Sequence, residues 1–254
     1  MMYTEEQLTK LEQEERELTD EAILLLLLIL ASVKGNLEKE LRNFYQQYGK
    51  DGVVTYSEAR KWISSQDHRR RLTALTMFLS GQFDSALLDM KSEFEKMLKR
   101  VVDKEAGFFG VEVDSEEVLN EPWGVDDTTW WKRLEDDVAL WAAYILMDWR
   151  RGFLSNKNFD DMLKQLNKRF DSIESIIKTL GLTESTAIGS LARREIFTKL
   201  GVTKYQFYTK PDERRCETCG SMHGLIFPIS AYEVGSTASP MHPRCRCWEV
   251  PIWD

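Results

Sequence analysis

Most of the chain carries apolar residues that recur every three or four positions, which is the period of an α-helix with one buried face. The first long stripe predicts a helix of about six turns, and two further stripes follow it. The stripes consist of Phe83, Leu87, Met90, Phe94, Met97 and Val101; of Trp131, Leu134, Val138, Trp141 and Ile145; and of Phe159, Met162, Leu166, Phe170, Ile173 and Ile177. We therefore predict that about the first two-thirds of the chain is helical.

Capping residues and glycines suggest where these helices begin and end. Thr4 to Gln7 and Thr55 to Glu58 have the spacing of capping boxes, in which a hydroxyl and an acidic or amide side chain bind the free amides of a first turn. Glycine readily adopts the left-handed conformation that ends many helices. We expect helix ends at Gly35, near Gly181 and at Gly201.

The pattern changes after residue 201 to the alternation of apolar and polar residues that is typical of strands. Val202 to Tyr208, Leu225 to Phe227 and Trp248 to Trp253 are the predicted strands. The expected fold class is mainly α: a helical body followed by a small C-terminal module that contains β-structure, which makes the whole chain α+β.

Four consecutive segments describe the predicted organisation. Residues 1–106 form an N-terminal helical region, 107–127 an acidic loop or boundary, 128–201 a second helical part, and 202–254 a small module rich in β-structure and cysteine. The acidic residues of 107–127 could bind a divalent cation, but they lack EF-hand spacing, and a solvated loop is the preferred interpretation.

Charge and hydropathy exclude two classes of protein. The 254 residues include 34 Lys and Arg against 42 Asp and Glu, a net charge of -8, which argues against a protein that coats nucleic acid through bulk charge. The apolar run 22–33 has 12 residues, whereas a membrane-spanning helix needs about 20. Residues 1–21 carry eight acidic and two basic side chains. A secretion signal begins with positive charge, so the run does not resemble one. We expect it to be buried by its own protein or by an oligomeric partner, with no membrane involved.

The chemistry of the chain is concentrated in its four cysteines, which all lie within the last 39 residues. Cys216 and Cys219 have the two-residue spacing that lets both thiolates of a tight turn bind one ion, and Cys245 and Cys247 could complete a tetrahedral structural zinc site. Because Cys-x-Cys is less usual than Cys-x-x-Cys, His242 is an alternative to one of the last two. Disulfide or redox pairing and buried free thiols are the other interpretations.

A catalytic interpretation has less support. Cys219 and His223 could form a nucleophile and base, but Cys219 already belongs to the Cys-x-x-Cys turn. The chain has no GxSxG, phosphate loop, HExxH or GxGxxG motif, and its three histidines provide few acid–base groups. We therefore predict that the protein is not an enzyme.

Residues 182–250 resemble the minor head proteins of the phage Mu F type, also called head morphogenesis or minor capsid proteins. Residues 128–181 resemble them more loosely, so 128–201 would be the helical part of a Mu F-like domain. The shared elements, in chain order, are Thr183-Glu184, Leu200-Gly201-Val202, the aromatic strand Tyr205-Gln206-Phe207, Cys216 to Cys219, Gly224 to Pro228 and His242 to Cys247. The family often has Arg before Thr-Glu, where this chain has Leu182, so we expect Arg193 or Arg194 to provide that charge pairing.

The resemblance implies a non-enzymatic component of a phage or prophage head that acts in head assembly. Its expected partners are the portal protein and the major capsid or scaffold protein, and docking would involve the portal or the inner capsid. It would lie in the host cytoplasm during assembly and then in the virion, in the head interior or at the portal vertex. The alternative is a DNA-binding protein that is packaged and escorts or protects the genome on ejection. Local basic residues suggest this alternative: Arg69, Arg70, Arg71, Arg244 and Arg246.

Overall fold

The structure, a computed structural model, describes residues 5–50, 52–54, 66–210 and 212–253, without the side chains of residues 5, 66–69, 71 and 72. The capping boxes predicted at Thr4 and at Thr55 to Glu58 lie wholly or partly outside the described residues. The helices are α1 (Glu5–Tyr48), α2 (Gln66–Phe109), α3 (Ser115–Asn120), α4 (Trp130–Leu154), α5 (Phe159–Lys199) and α6 (Glu217–Met222), with a 3-10 turn at Ile229–Ala231. The three predicted apolar stripes lie on α2, α4 and α5, and most of their members are buried.

Two of the predicted helix ends are wrong. Helix α1 continues through Gly35, because Val33, Leu37 and Leu41 keep the same buried face on both sides of it. Helix α5 continues through Gly181, where a Cβ atom would lie 2.8 Å from Ile23 Cγ1. At residue 181, glycine allows close packing of two helices and does not mark a helix end. At Gly201, by contrast, φ is +71° and the helix ends as predicted.

The C-terminal strands form a three-stranded antiparallel sheet in the order β2-β1-β3. Strand β1 (Lys204–Thr209) lies in the centre, between β2 (Ile226–Pro228) and β3 (Cys247–Ile252). Thr209 pairs with Cys247, and Lys204 pairs with both Ile252 and Pro228. All three strands lie within or close to the predicted segments, and the predicted fold class is confirmed: a mainly helical chain with a small C-terminal β-module.

The described residues group into two compact units, each built from separate stretches of chain. The first takes residues from 5–25, 92–133 and 177–253, and the second from 26–91 and 134–176. In the first unit, Phe197 makes edge contacts with Phe109 and Tyr232 at ring-centroid distances of 5.6 and 6.5 Å. In the second, Phe44 stacks on Phe153 at 4.5 Å. The four segments predicted from the sequence are consecutive, whereas each of these units combines distant parts of the chain.

Residues 107–127 contain regular structure in addition to loop. Helix α2 extends to Phe109, and the short helix α3 begins after Asp114. The Asp114 carboxylate accepts hydrogen bonds from the amides of Glu116 and Glu117, at 2.9 and 3.3 Å. One of the acidic residues considered as a cation ligand therefore acts as a helix N-cap.

The apolar run at residues 22–33 is buried on one side only. Ile23, Leu26 and Leu30 are buried, whereas Leu24 and Leu28 are 63% and 66% exposed. This agrees in part with the expected burial by the protein itself. Within the described residues, no helix combines the length and the apolar character that crossing a membrane requires.

Candidate metal centre

The Cys-x-x-Cys motif forms the start of helix α6. Cys216 is the N-cap of this helix, and its sulfur accepts a hydrogen bond from the Cys219 amide at 3.3 Å. The residue that caps the start of a helix and the residue three positions after it lie on the same side of the first turn. The sequence therefore places both sulfurs on one side of a tight turn.

The second half of the centre is the loop that leads into strand β3. His242 Nε2 lies 3.3 Å from the sulfurs of both Cys216 and Cys219. The Cys245 sulfur lies 3.8 Å from that of Cys219, and Cys247 is the first residue of β3. All five candidate ligands predicted from the sequence are thus brought together, and His242 lies next to the first cysteine pair.

These residues fit a metal ion in three respects. Two sets of donor atoms each lie within 4.8 Å of one another: Cys216, Cys219 and His242, and Cys219, Cys245 and Cys247. A zinc ion with bonds of about 2.3 Å to sulfur would set tetrahedral sulfur atoms about 3.8 Å apart, which matches the distance between Cys219 and Cys245. His242 Nδ1 lies 2.9 Å from the Pro243 carbonyl, which leaves Nε2 as the free lone pair. The cluster could therefore hold a metal ion.

The four thiols are free in the structure and differ in their electrostatics. A hydrogen bond from the Cys247 thiol lowers the pKa of Cys245 to about 5, and the same contact raises the pKa of Cys247. The amide of Cys219 lowers the pKa of Cys216, whereas burial raises the pKa of Cys219 to about 12. At neutral pH, Cys216 and Cys245 are the two sulfurs best prepared to act as thiolates.

Apolar side chains surround the sulfurs. Phe207 of β1 is fully buried against Cys219, Cys245 and Cys247, and partly buried hydrophobic residues pack on the same cluster. They are Met222, Phe227 and Met241. Such a shell limits the access of water and strengthens electrostatic interactions inside it.

The His223 side chain has its contacts in strand β1. Its Nδ1 accepts a hydrogen bond from the amide of Thr209 at 3.2 Å, and its ring contacts that of Tyr208. The imidazole next to the Cys219 sulfur belongs to His242. The structure therefore does not support the nucleophile–base pair that the sequence allowed.

The arginines predicted for nucleic-acid contact have different surroundings. Arg246 forms a bidentate ion pair with Asp212, with N–O distances of 2.5 and 2.6 Å, and Arg244 Nε donates to Thr179 Oγ1 at 2.9 Å. Arg70 is exposed, and the side chains of Arg69 and Arg71 lie outside the described residues. Arg244 and Arg246 thus have contacts within the protein that hold the metal-centre loop in place.

The family motif Thr-Glu contributes a buried carboxylate. Glu184 accepts hydrogen bonds from Trp123 Nε1 at 2.8 Å and from the Arg133 guanidinium at 3.0 Å, and this guanidinium also lies over the Trp123 ring. The cation next to Glu184 is therefore Arg133. Of the two arginines expected to provide this pairing, Arg193 binds other carboxylates and Arg194 pairs with Glu121.

Arg193 is the centre of a buried ionic cluster that the sequence did not reveal. Its guanidinium contacts Glu249 at 3.1 Å, Glu15 at 3.4 Å and also Glu105, and all four residues are buried. Glu249 also accepts hydrogen bonds from Tyr232. Helices α1, α2 and α5 and strand β3 each provide one charged group, so no local sequence pattern could have identified the cluster.

Comparison with known proteins gives a match in the part of the chain that contains the candidate metal ligands. Residues 143–250 match the family described as phage Mu protein F like protein. No curated protein and no solved structure matches the chain. The matched range includes strands β1 and β2, the first four residues of β3, the Thr-Glu pair and all five candidate metal ligands. Over residues 143–250, which are less than half of its length, the chain is therefore similar to the phage Mu protein F-like family.

Proposed function

We propose that this protein is a minor head component that acts in phage head morphogenesis by docking to the portal. The observation that carries the proposal is the family match over residues 143–250, which covers most of the helical part, from residue 143 on, and the cysteine-containing loop. In this proposal the protein folds in the host cytoplasm and is then built into the virion. The inner face of the major capsid and the scaffold are further surfaces that it could contact.

An apolar face on helix α4 supports docking to another protein. Leu140, Tyr144 and Met147 follow one another at helical spacing and are 46%, 39% and 42% exposed. A groove of about 430 Å³ between α2 and α4 lies within the same unit and is lined by apolar residues that include Leu79, Phe83 and Leu146. Exposed apolar surface of this kind is typical of protein–protein contact sites.

Co-expression with the portal protein of the same phage tests the docking proposal. We expect the two proteins to co-purify, and Leu140→Gln with Met147→Gln to weaken the complex at least tenfold. Leu225→Gln is the matched control, because Leu225 is exposed to a similar degree, 47%, but lies outside α4. Clean separation of wild-type protein and portal at low salt would refute the proposal.

We further propose that the ion is zinc and that its role is structural. The observation in favour is a donor set of thiols and imidazole beside buried apolar side chains, which suits a structural zinc ion. A histidine nitrogen at 3.3 Å from two sulfurs also favours metal over disulfide pairing, in which imidazole takes no part. Protein purified under reducing, chelator-free conditions should contain about one zinc per chain; its absence would leave the disulfide interpretation.

The same centre would have no catalytic role in this proposal, and the packaged DNA-binding protein remains the alternative function. Because Arg246 is already paired with Asp212, it has little free charge to offer a phosphate. Binding to duplex DNA that weakens steeply with rising salt would support the alternative, since phosphate contacts release counterions. The absence of such binding, together with portal co-purification, would support the head-assembly role.

A further inference from the structure

The orientation of His242 depends on one peptide group. Its Nδ1 lies 2.9 Å from the carbonyl oxygen of Pro243, while Nε2 lies 3.3 Å from the sulfurs of Cys216 and Cys219. A neutral imidazole carries its proton on one nitrogen and a lone pair on the other. A carbonyl can only accept, so it selects the tautomer with the proton on Nδ1 and directs the Nε2 lone pair towards the cysteines.

The other side of that peptide group is held by helix α5. The Arg244 amide, which is bonded to the Pro243 carbonyl carbon, donates to Thr183 Oγ1 at 3.0 Å. The Thr183 hydroxyl donates its own hydrogen to the Thr179 carbonyl at 2.6 Å, so the oxygen faces Arg244 with a lone pair. Because a peptide group is planar, fixing its N–H also fixes the direction of its carbonyl.

The loop needs such a contact, because its backbone conformation is unfavourable. Arg244 has φ of +60°, a left-handed conformation that non-glycine residues seldom adopt. Two further contacts join the loop to the same face of α5. Arg244 Nε donates to Thr179 Oγ1 at 2.9 Å. The Thr186 hydroxyl shares its hydrogen between the Leu182 carbonyl at 3.0 Å and the Cys245 carbonyl at 3.2 Å. Thr179, Thr183 and Thr186 lie four and three residues apart and therefore share one face of the helix.

We propose that Thr183 is a positioning residue for the metal centre, which acts by holding the Pro243–Arg244 peptide and through it the tautomer and orientation of His242. This role rests on the proposed metal binding. The two residues of the Thr-Glu pair then have different roles. Glu184 binds Arg133 and Trp123, whereas Thr183 accepts a hydrogen bond from the Arg244 amide in the loop that carries His242. Thr183 itself need not touch the ion.

Titration of the full-length reduced protein with Co(II), competed by Zn(II), tests this role. Thr183→Val keeps the shape of the side chain but removes the acceptor, and we expect metal affinity to fall by about 10–100-fold, the usual effect of losing an outer-shell partner. Thr183→Ser keeps the hydroxyl and should stay within about twofold of the wild type. Equal affinities of wild type and Thr183→Val would overturn the proposal.

A double-mutant cycle with His242→Cys separates positioning from a general structural effect. A thiolate ligand has no tautomer to select, so Thr183→Val should have little effect on metal affinity in the His242→Cys background. A loss of the same size in both backgrounds would show that Thr183 acts on folding alone and would overturn the proposal. If Thr183→Val fails to fold, Thr183→Ala replaces it in the cycle.

The long-range ¹⁵N spectrum of the His242 ring provides a second measurement on the same samples. We expect the proton on Nδ1 in the wild type and in Thr183→Ser, and a mixture of tautomers or faster ring exchange in Thr183→Val. An unchanged spectrum in Thr183→Val would count against the role. Wild-type protein that takes up no Co(II) would refute the metal centre itself. Equal Co(II) affinities of the wild type and Thr183→Val would refute only the role of Thr183.

Discussion

Arg193 is the only cation that directly contacts three buried carboxylates among the described residues of this cluster. A single guanidinium lies among the carboxylates of Glu15, Glu105 and Glu249, and two excess negative charges cannot remain in a site that excludes water. Burial and the neighbouring Glu105 raise the pKa of Glu15 well above its ordinary value. The folded protein therefore keeps a proton on this cluster at pH values where the unfolded chain has lost it.

Replacement of Arg193 should be among the most damaging single substitutions in the chain. Arg193→Met leaves three buried carboxylates without a cation, and the free energy of unfolding should fall by about 3–5 kcal/mol. Arg194→Met is the matched control: the neighbouring arginine is partly exposed and pairs with Glu121, so its loss should cost at most about 1 kcal/mol. Urea unfolding of both variants measures the difference, and equal losses would contradict the central role of Arg193.

Glu15→Gln should alter the pH dependence of stability. A carboxyl whose pKa is raised on folding contributes stability at low pH, and this is lost as the pH rises from its unfolded value of about 4.3 towards the folded value. As the pH rises above the unfolded value, the free energy of unfolding of the wild type should therefore decline relative to that of Glu15→Gln. Parallel pH profiles would show that Glu15 is ionised in the folded protein.

At the scale of elements, Gly35 within helix α1 and Gly181 within helix α5 differ in their surroundings. Gly181 lies where α5 approaches Ile23 of α1, and any Cβ would lie 2.8 Å from the Ile23 side chain. Gly35 has no atom within 4 Å of the position where its Cβ would be. The same residue type thus allows close packing of two helices at one position and has no such role at the other.

Alanine at these two glycines should have opposite effects on stability. Gly35→Ala should stabilise the protein by about 0.5–1 kcal/mol, because glycine is unfavourable inside a helix. Gly181→Ala gains the same helix propensity but must displace Ile23, and overpacking of this kind costs about 1–3 kcal/mol. In thermal unfolding, the midpoint temperature should rise for Gly35→Ala and fall for Gly181→Ala. In an Ile23→Ala background the penalty of Gly181→Ala should largely vanish; if it persists, the steric explanation is wrong.

At the scale of the whole molecule, the sequence predicted what depends on short-range pattern. Apolar stripes predicted the long helices, alternation predicted β1, and the cysteine spacing predicted that Cys216, Cys219, Cys245 and Cys247 would come together with His242. The sequence pattern did not predict contacts between residues that are distant in the chain. The Arg193 cluster joins positions 178 residues apart, and the glycine misassignment at Gly181 arose because the deciding neighbour, Ile23, belongs to another helix.

Removal of the proposed metal ion should affect the sheet before the rest of the molecule. In small modules, the free energy of metal binding is largely free energy of folding, and the proposed ligands join α6 to the start of β3. Under reducing conditions, a chelator should increase amide hydrogen exchange in β1, β2 and β3 at least tenfold and leave α4 little changed. Cys216→Ser without chelator should reproduce the effect. Unchanged exchange in the strands would mean that the sheet does not depend on the ion.

The ionic cluster around Arg193 also limits when the first unit can fold during synthesis of the chain. Glu15 leaves the ribosome about 230 residues before Glu249, which at 5–20 residues per second is a delay on the order of tens of seconds. Until strand β3 has been made, Arg193 lacks one of its three acidic partners and α1 has no complete site on which to settle. Folding of the first unit therefore cannot be completed before strand β3 has been made. A chain interrupted before Glu249 would leave the Arg193 cluster incomplete, so its first unit would not reach the folded state described above.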